Sequence, residues 1–212
     1  MMVIRNAFRH ADPKTFYHAK NQEELVQCYD VAARVYDEAM TSDVGWCGHI
    51  ELAKVVGRLV KKDAKLLDAG AGTGMLGSEL KHLGFSNMDA NDISPGMLDE
   101  AIRKRIYHDC RVLELGSPLS YSSNSYDAVT VCGVFTPNHA PANALYEIVR
   151  VTREKGLVLF TLRADETPPH FPEIQQELSD SGAWVLVEAT EPFPSIASEP
   201  HIRHKCWVYK VN

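Results

Sequence analysis

Residues 65–74 read KLLDAGAGTG, and the fold can be worked out from this stretch. A short apolar run breaks into three glycines at alternate positions, which predicts a buried strand that ends in a tight turn. The glycines also remove every Cβ that would keep a ligand away from the backbone. After the turn, Leu76, Leu80 and Leu83 recur at helical spacing up to Gly84. The stretch therefore predicts a strand, a glycine turn and a helix in succession.

Strands and helices continue to alternate after this unit. The next predicted strands are NMDAND, CRVLELG, YDAVTVCGVF and LVLFTLR, and the helices between and after them are SPGMLDEAIRKRI, ANALYEIVRVTREKG and PEIQQELSDSG. Ser94 and Pro95 suit an N-cap and a first helical residue, and Gly156 is expected to end the second of these helices. AWVLVEA and HKCWVYKV then follow each other without a helix, so we predict that they pair as an antiparallel hairpin.

These elements predict an α/β fold. The alternation favours a doubly wound, Rossmann-like sheet of seven strands, mostly parallel with an antiparallel final strand, and helices on both faces. Upstream, Asn21 and Glu24 predict the start of a helix, which a loop at TSDVGWCG separates from a second helix ending at Lys61-Lys62. We predict a single domain, with residues 1–63 as an N-terminal helical extension and residues 64–212 as the core.

Composition argues against several classes of protein. The chain has 212 residues, of which 45% are apolar, and a net charge of -6. These values are typical of a globular domain and disfavour a broad nucleic-acid surface, which needs clustered cations. No apolar run approaches the roughly 18 residues of a membrane span, and MMVIRNAFRH lacks the apolar core of a secretory signal. We therefore expect a cytoplasmic protein without a membrane or nucleic-acid partner.

The cysteines indicate free thiols, because five cysteines at irregular spacing form a poor disulfide framework. Cys47 with His49, and His108 with Cys110, offer four potential zinc ligands. Structural zinc sites favour roughly two to four residues between paired ligands, and neither pair has that spacing. No metal is expected.

The functional site is expected at the glycine turn, because open parallel sheets bind ligands at the carboxyl ends of their strands. Asp92 lies at the predicted end of the second strand, 22 residues beyond Gly70. A carboxylate there can accept hydrogen bonds from both hydroxyls of a ribose. Asp89 is the rival, but strand alternation and the helix start at Ser94 favour Asp92.

Two cofactor classes fit this turn. GTGMLG, residues 72–77, matches the G-x-G-x-x-G pattern of dinucleotide-binding folds, which favours a nicotinamide-dependent oxidoreductase. Against this, the chain has no Tyr-x-x-x-Lys pair, and Asp68 would repel a pyrophosphate. The same carboxylate could bind the cationic amino group of an amino-acid-bearing nucleoside. A third possibility is a non-catalytic module that keeps the fold as a scaffold.

Several motifs resemble those of class I S-adenosylmethionine-dependent methyltransferases. They are YDVAARVYDEAM, LLDAGAGTG, NDISPGML, YDAVTVCGV and LYEIVRVTREKGLVLFTLR, in this order along the chain. The resemblance implies methyl transfer from S-adenosylmethionine to an unidentified small molecule or protein side chain. It also implies that Gly70, Ala71 and Gly72 wrap the methionine part of the cofactor, that Asp68 lies near its amino group, and that Asp92 holds the ribose.

The resemblance implies further contacts along the cofactor. Ile93 and Met97 would flank the adenine, and Cys132 would lie beside the sulfonium. Most relatives have an acidic residue and an alanine after the third strand to bind the adenine edge. Here Leu115 and Gly116 occupy these positions, which suggests recognition by backbone groups.

Four more residues are candidates near the methyl group. The resemblance implies that Tyr29 and Tyr36 bind the cofactor and close over its carboxylate or methyl side, whereas helical spacing also allows both to pack in the core. His139 is the candidate general base, because imidazole titrates near neutral pH, with a solvated loop histidine as the alternative. Trp46 could form an aromatic wall for the acceptor or anchor a loop.

Overall fold

The computed structural model describes residue 19, residues 21–137 and residues 139–212. Its α-helices are α1 (Gln22–Glu38), α2 (Gly48–Leu59), α3 (Met75–His82), α4 (Pro95–Arg103), α5 (Ala144–Val151) and α6 (Phe171–Asp180). Its strands are β1 (Leu66–Ala69), β2 (Met88–Asp92), β3 (Cys110–Val112), β4 (Tyr126–Val131), β5 (Thr152–Arg163), β6 (Trp184–Ala189), β7 (Phe193–Pro194) and β8 (Arg203–Val211). The prediction about a secretory signal falls on residues 1–10, outside the described part. In the part that is described, no helix has the length and apolar character needed to cross a membrane.

The strands form one sheet in the order β3-β2-β1-β4-β5-β8-β6, and β7 pairs with β8. Strands β1 to β5 pair in parallel, and β8 lies antiparallel between β5 and β6. The predicted α/β fold is confirmed, as is the antiparallel pairing of the last two predicted strands. The two-residue strand β7 is an addition, in a segment predicted as a connection. Because β2 and β4 flank β1 on opposite sides, the strand order reverses beside β1.

Side chains alternate along the strands and build an apolar core on each face of the sheet. Leu67 and Val129 pack with residues of α5 and α6. Their neighbours Leu66 and Ala128 pack with residues of α2 and α3 on the other face. All four side chains are buried. Helices on both faces, as predicted, therefore explain why the central strands are apolar throughout.

The structure corrects the predicted helix end at Gly156. Helix α5 ends at Val151, and β5 begins at Thr152, which pairs with Tyr126. Thr152 is buried, and its hydroxyl donates a hydrogen bond to the Ile148 carbonyl in the last turn of α5. Strand pairing and burial of Thr152 thus outweigh the helical propensity of the residues that follow.

The predicted loop at TSDVGWCG is also corrected. Residues 39–44 form a π-helical segment that extends α1, and Gly45 then turns the chain with φ +70. The turn is fastened to the β7–β8 connection, because Ala197 N donates to the Gly45 carbonyl and Cys47 N to the Ser195 carbonyl. Helix α2 ends at Leu59, slightly before the predicted lysine pair.

Candidate functional site

A cavity of about 420 Å³ lies at the carboxyl ends of β1, β2 and β4. The sequence-predicted residues that line it are Tyr29, Tyr36, Trp46, Asp68, Gly70, Ala71, Gly72, Asp92, Ile93, Met97, Leu115, Cys132 and His139. Gly116 does not line the cavity. Its carbonyl accepts a hydrogen bond from Asn143, and a Cβ on it would lie 2.5 Å from Pro141. Residues from distant parts of the chain, beginning with α1 and ending with the loop after β4, therefore line one cavity.

The glycine turn after β1 presents bare backbone to this cavity. Gly70 N and Ala71 N donate to the Asn91 carbonyl at 2.8 and 2.9 Å, which fastens the turn to β2. Gly70 has φ +71, and a Cβ there would lie 2.5 Å from Val134 Cγ2. A Cβ on Gly72 would meet nothing within 4 Å. Close packing against Val134 thus requires a glycine at position 70, whereas Gly72 borders open space.

Asp92, and not Asp89, belongs to the cavity. Asp92 is half-buried, and its carboxylate accepts hydrogen bonds from Gly72 N at 2.8 Å and Ser94 N at 2.9 Å. Burial raises the pKa of Asp92, and these backbone N–H groups partly offset that effect. Asp89 lies near the opposite end of β2, where it accepts a hydrogen bond from the Tyr126 hydroxyl. Of these two carboxylates, Asp92 is therefore the one that lines the cavity beside the turn.

Asp68, in β1, is a second buried carboxylate in the cavity wall, only 2% exposed. The Tyr107 hydroxyl donates to its Oδ2 at 2.6 Å, and the Thr130 hydroxyl donates to its Oδ1 at 3.1 Å. Burial raises the pKa of Asp68 to about 6, although the two hydroxyl donors act in the opposite direction. The carboxylate is thus mostly ionised at neutral pH and suits a cationic group.

Two aspartates of helix α1 bind it to the residues beside the cavity. Asp30 Oδ1 accepts hydrogen bonds from Ser94 Oγ at 2.5 Å and Gly96 N at 2.8 Å, at the start of α4. Asp37 accepts a hydrogen bond from the Thr73 hydroxyl in the glycine turn and pairs with Lys104 at 2.5 Å. These contacts hold α1 against the turn and against α4.

Tyr29 of α1 forms a hydrogen bond with His139, which lies in the loop after β4. The Tyr29 hydroxyl lies 2.8 Å from His139 Nε2. His139 Nδ1 lies 2.9 Å from the Thr136 hydroxyl and 3.1 Å from the Pro137 carbonyl oxygen. Burial lowers the pKa of His139, so the ring is neutral at pH 7. Because a carbonyl only accepts hydrogen bonds, the Pro137 contact assigns the proton to Nδ1 and leaves Nε2 to accept from Tyr29.

Trp46 and His49 form another part of the wall. The Trp46 ring lies against Gly133, two residues after the end of β4, where a Cβ would lie 3.2 Å from the ring. Its edge also contacts the buried His204, with ring centroids 5.2 Å apart. His49 is 5% exposed, and burial lowers its pKa. Burial also raises the pKa of the Cys132 thiol well above its usual value, so that thiol stays neutral.

The residues of this site that sequence reasoning missed include Asp30, Asp37, His49, Tyr107 and Thr130. A signal existed for the two aspartates, because each directly follows a tyrosine in a Tyr-Asp pair that repeats after seven residues. His49 was weighed only as a zinc ligand. Across residues 21–137 and 139–212, no group of three or more His, Cys, Asp or Glu side chains could hold a metal ion.

Comparison with known proteins identifies the family. A family model described as "Methyltransferase domain" matches residues 67–160. The chain is 32% identical over 126 residues to methyltransferase-like protein 27 of Homo sapiens, across 57% of this chain and 51% of that protein. It is 30% identical over 199 residues to the malonyl-acyl-carrier-protein O-methyltransferase of Serratia marcescens, across 90% of this chain and 69% of that protein. The chain belongs to the class I S-adenosylmethionine-dependent methyltransferase family.

Solved structures share the fold of this methyltransferase-family chain. The 4+2 cyclase SpnF superimposes with a TM-score of 0.71 at 14% identity, across 91% of this chain and 97% of that chain. The 1,6-didemethyltoxoflavin-N1-methyltransferase of Burkholderia thailandensis, solved with 1,6-didemethyltoxoflavin and S-adenosylhomocysteine, has a TM-score of 0.65 at 13% identity, across 89% of this chain and 87% of that chain. The chain spans about half of the human relative and about two thirds of the Serratia relative.

Proposed function

We propose that this chain binds S-adenosylmethionine in the cavity and transfers its methyl group to a small-molecule acceptor. The observation that carries the proposal is the open space at Gly72 beside the Asp92 carboxylate, in a chain of this family. When bound, the cofactor supplies a methyl group already activated on a sulfonium. The protein then has mainly to align the acceptor with that methyl group, and alignment can lower a barrier by about 7–11 kcal/mol.

The residues present fit this cofactor. Each oxygen of Asp92 accepts one backbone hydrogen bond and keeps a lone pair with which to accept a ribose hydroxyl. Asp68 would face the amino group as a carboxylate. Ile93, Met97 and Leu115 provide apolar lining on the adenine side. Free thiols at all five cysteines are compatible with the cytoplasmic location that we propose.

The acceptor side of the cavity favours an uncharged molecule with hydrogen-bonding groups. Tyr29, Tyr36, Trp46, His49 and His139 supply aromatic surface, hydroxyls and imidazoles. No lysine or arginine appears among the described residues that line the cavity, so these supply no cation to pair with a phosphate on the acceptor. The toxoflavin enzyme, whose fold this chain shares, acts on a small molecule, and this supports the same class of acceptor here.

We propose that Tyr29 and His139 remove the acceptor proton together. When the acceptor oxygen or nitrogen takes the methyl group, the bond from that carbon to sulfur would break with its electron pair left on sulfur. The acceptor proton would pass to the Tyr29 oxygen, and the Tyr29 proton would pass to His139 Nε2. The Nδ1 contacts with Thr136 and Pro137 fix the ring in the orientation that this transfer needs.

The cofactor assignment is tested by isothermal titration calorimetry with S-adenosylhomocysteine and with NADH. We expect saturable binding of S-adenosylhomocysteine and no binding of NADH. Binding of NADH alone would support the oxidoreductase alternative, whereas binding of neither ligand would overturn the proposal. A protein that binds S-adenosylhomocysteine but methylates nothing in a panel of phenols, alcohols and ring-nitrogen compounds would support the scaffold alternative.

Replacing His139 by glutamine is expected to lower kcat about 100-fold, because general-base catalysis contributes roughly 100-fold or more. The panel compound methylated fastest is the substrate, and release of S-adenosylhomocysteine is the readout. Affinity for S-adenosylhomocysteine should stay within about threefold of wild type. Since the imidazole must be neutral to act, wild-type kcat should fall as pH drops through the lowered pKa of His139, and His139→Gln should lose this dependence.

The control for this substitution is His82→Gln, which removes an exposed imidazole at the end of α3. Tyr29→Phe should reproduce most of the loss in kcat, because it removes the hydroxyl that relays the proton. Unchanged kcat and an unchanged pH profile in His139→Gln would show that the acceptor proton leaves by another route.

A further inference from the structure

Tyr107, between α4 and β3, reaches the most buried carboxylate of the cavity wall. Its hydroxyl donates to Asp68 Oδ2 at 2.6 Å, while Thr130 of β4 donates to Oδ1. Neither donor is charged. Both oxygens of a carboxylate that is 2% exposed are therefore fixed by neutral hydroxyl groups. Tyr107 does not itself line the cavity and contacts Asp68 from behind the wall.

Two glycines make room for the Tyr107 ring. A Cβ on Gly77, in the first turns of α3, would lie 2.2 Å from the Tyr107 hydroxyl oxygen and 2.5 Å from Cζ. A Cβ on Gly74 would lie 3.2 Å from Cε2 of the same ring. Gly77 is the last glycine of the G-x-G-x-x-G pattern. In dinucleotide-binding folds that glycine permits close packing of helix and strand, whereas here it admits a phenol ring.

The two hydroxyl donors favour the ionised form of Asp68, which its surroundings otherwise disfavour. Burial and the neighbouring Asp92 carboxylate both disfavour ionisation of Asp68, and they raise its pKa to about 6. The hydrogen bonds from Tyr107 and Thr130 act in the opposite direction. Cys132 also faces Asp68, but its thiol is neutral and adds no charge. Without Tyr107, the balance would shift toward the protonated acid.

We infer that Tyr107 is a positioning residue, which keeps Asp68 ionised and oriented to receive the cationic amino group of the cofactor. The inference rests on the proposed function, because it needs that amino group as the ligand of Asp68. A protonated Asp68 has no charge with which to attract the ammonium and has one oxygen fewer with which to accept its hydrogen bonds. Tyr107 therefore sets the lower pH limit of cofactor binding.

The test measures the dissociation constant of S-adenosylhomocysteine by calorimetry between pH 5.5 and pH 8.5. For the wild type, we expect binding to weaken as pH falls through about 6, because Asp68 takes up a proton. For Tyr107→Phe, loss of a hydrogen bond to a charged group should make binding about tenfold weaker at pH 5.5. At pH 8.5, where Asp68 is ionised in both proteins, the difference should shrink to about threefold or less.

The matched control is Tyr126→Phe, which also removes a tyrosine hydroxyl from a buried carboxylate. Tyr126 donates to Asp89 at 3.0 Å, away from the cavity, so this variant should keep the wild-type pH profile. Gly77→Ala provides a second variant, because its Cβ would displace the Tyr107 ring and should reproduce the pH profile of Tyr107→Phe.

Two results separate failure of this inference from failure of the proposed function. If the wild type binds S-adenosylhomocysteine and folded Tyr107→Phe has the same pH profile, Tyr107 only packs and the inference is wrong. If the wild type binds no S-adenosylhomocysteine at any pH, the proposed function is wrong, and the inference fails with it.

Discussion

Replacing Asp92 by asparagine is expected to weaken S-adenosylhomocysteine binding about 100-fold while leaving the fold intact. The carboxylate would accept both ribose hydroxyls, and each hydrogen bond to a charged group contributes about 1.5–3 kcal/mol. Asparagine removes the charge and leaves one oxygen to accept. Loss of about 3 kcal/mol corresponds to roughly 100-fold in the dissociation constant.

The same substitution should barely change thermal stability without ligand. Burial raises the pKa of Asp92, so the ionised group costs the folded state free energy at neutral pH. Asparagine removes that cost but gives up a backbone hydrogen bond, to Gly72 N or to Ser94 N. We expect the unfolding midpoint to stay within about 3 °C of wild type.

Calorimetry measures the affinity for S-adenosylhomocysteine, and a thermal melt measures the unfolding midpoint without ligand. Asp99→Asn is the control, because it makes the same change of charge at an exposed position on α4. Wild-type affinity in folded Asp92→Asn would remove Asp92 from the cofactor site. A large drop in melting temperature would assign it a structural role instead.

Replacing Gly72 by alanine is expected to abolish binding of S-adenosylhomocysteine at a small cost in stability. Gly72 has φ +56, so alanine there costs about 1 kcal/mol of backbone strain. Its Cβ would meet no protein atom within 4 Å and would occupy the space in which we propose that the cofactor binds. We expect affinity to fall at least about 100-fold, because a methyl group in a close backbone contact displaces the ligand.

Gly70→Ala should behave differently two residues away. Its Cβ would lie 2.5 Å from Val134 Cγ2 at φ +71, so strain and overpacking add to about 2–4 kcal/mol. That loss corresponds to a melting temperature lower by roughly 8 °C in a chain of this size. Binding should also fall, because the turn moves.

Gly84→Ala is a control that introduces backbone strain without placing a methyl group in the cavity. Gly84 has φ +92 and open space around it, but it follows α3 and does not line the cavity. The variant should lose about 1 kcal/mol of stability and keep wild-type affinity. If Gly72→Ala binds S-adenosylhomocysteine as Gly84→Ala does, the cofactor does not approach the turn at Gly72.

Local chemistry was sufficient to predict most of the fold. Asn21 accepts a hydrogen bond from Glu24 N, and Ser94 accepts one from Met97 N, as their cap patterns predicted. The errors occur where tertiary contacts override local preference. Thr152 joins the sheet although strong helix formers follow it, and Gly45 is held by Ala197, about 150 residues further along the chain. No local pattern carries that information.

The candidate site was predictable where a ligand would meet backbone or strand ends. The turn, Asp68 and Asp92 follow from the rule that open α/β sheets bind ligands where strands end. Tyr107 could not be found in this way, because its role depends on space left by Gly77 and on a carboxylate 39 residues earlier in the chain. The roles proposed for the turn, Asp68 and Asp92 remain predictions, as do those for Tyr29, Tyr36, Trp46 and His139.

The position of β8 has a consequence for the order in which the chain can fold during synthesis. β8 lies between β5 and β6, and β6 has no other strand beside it in the described sheet. The ribosome synthesises β6 before β8. Trp184 and the other residues of β6 therefore have no strand to pair with until residues 203–211 have been made. Until then, the edge of β5 that includes Phe160 and Leu162 also lacks its pairing partner. Pairing in this half of the sheet therefore requires the last strand of the described chain, β8.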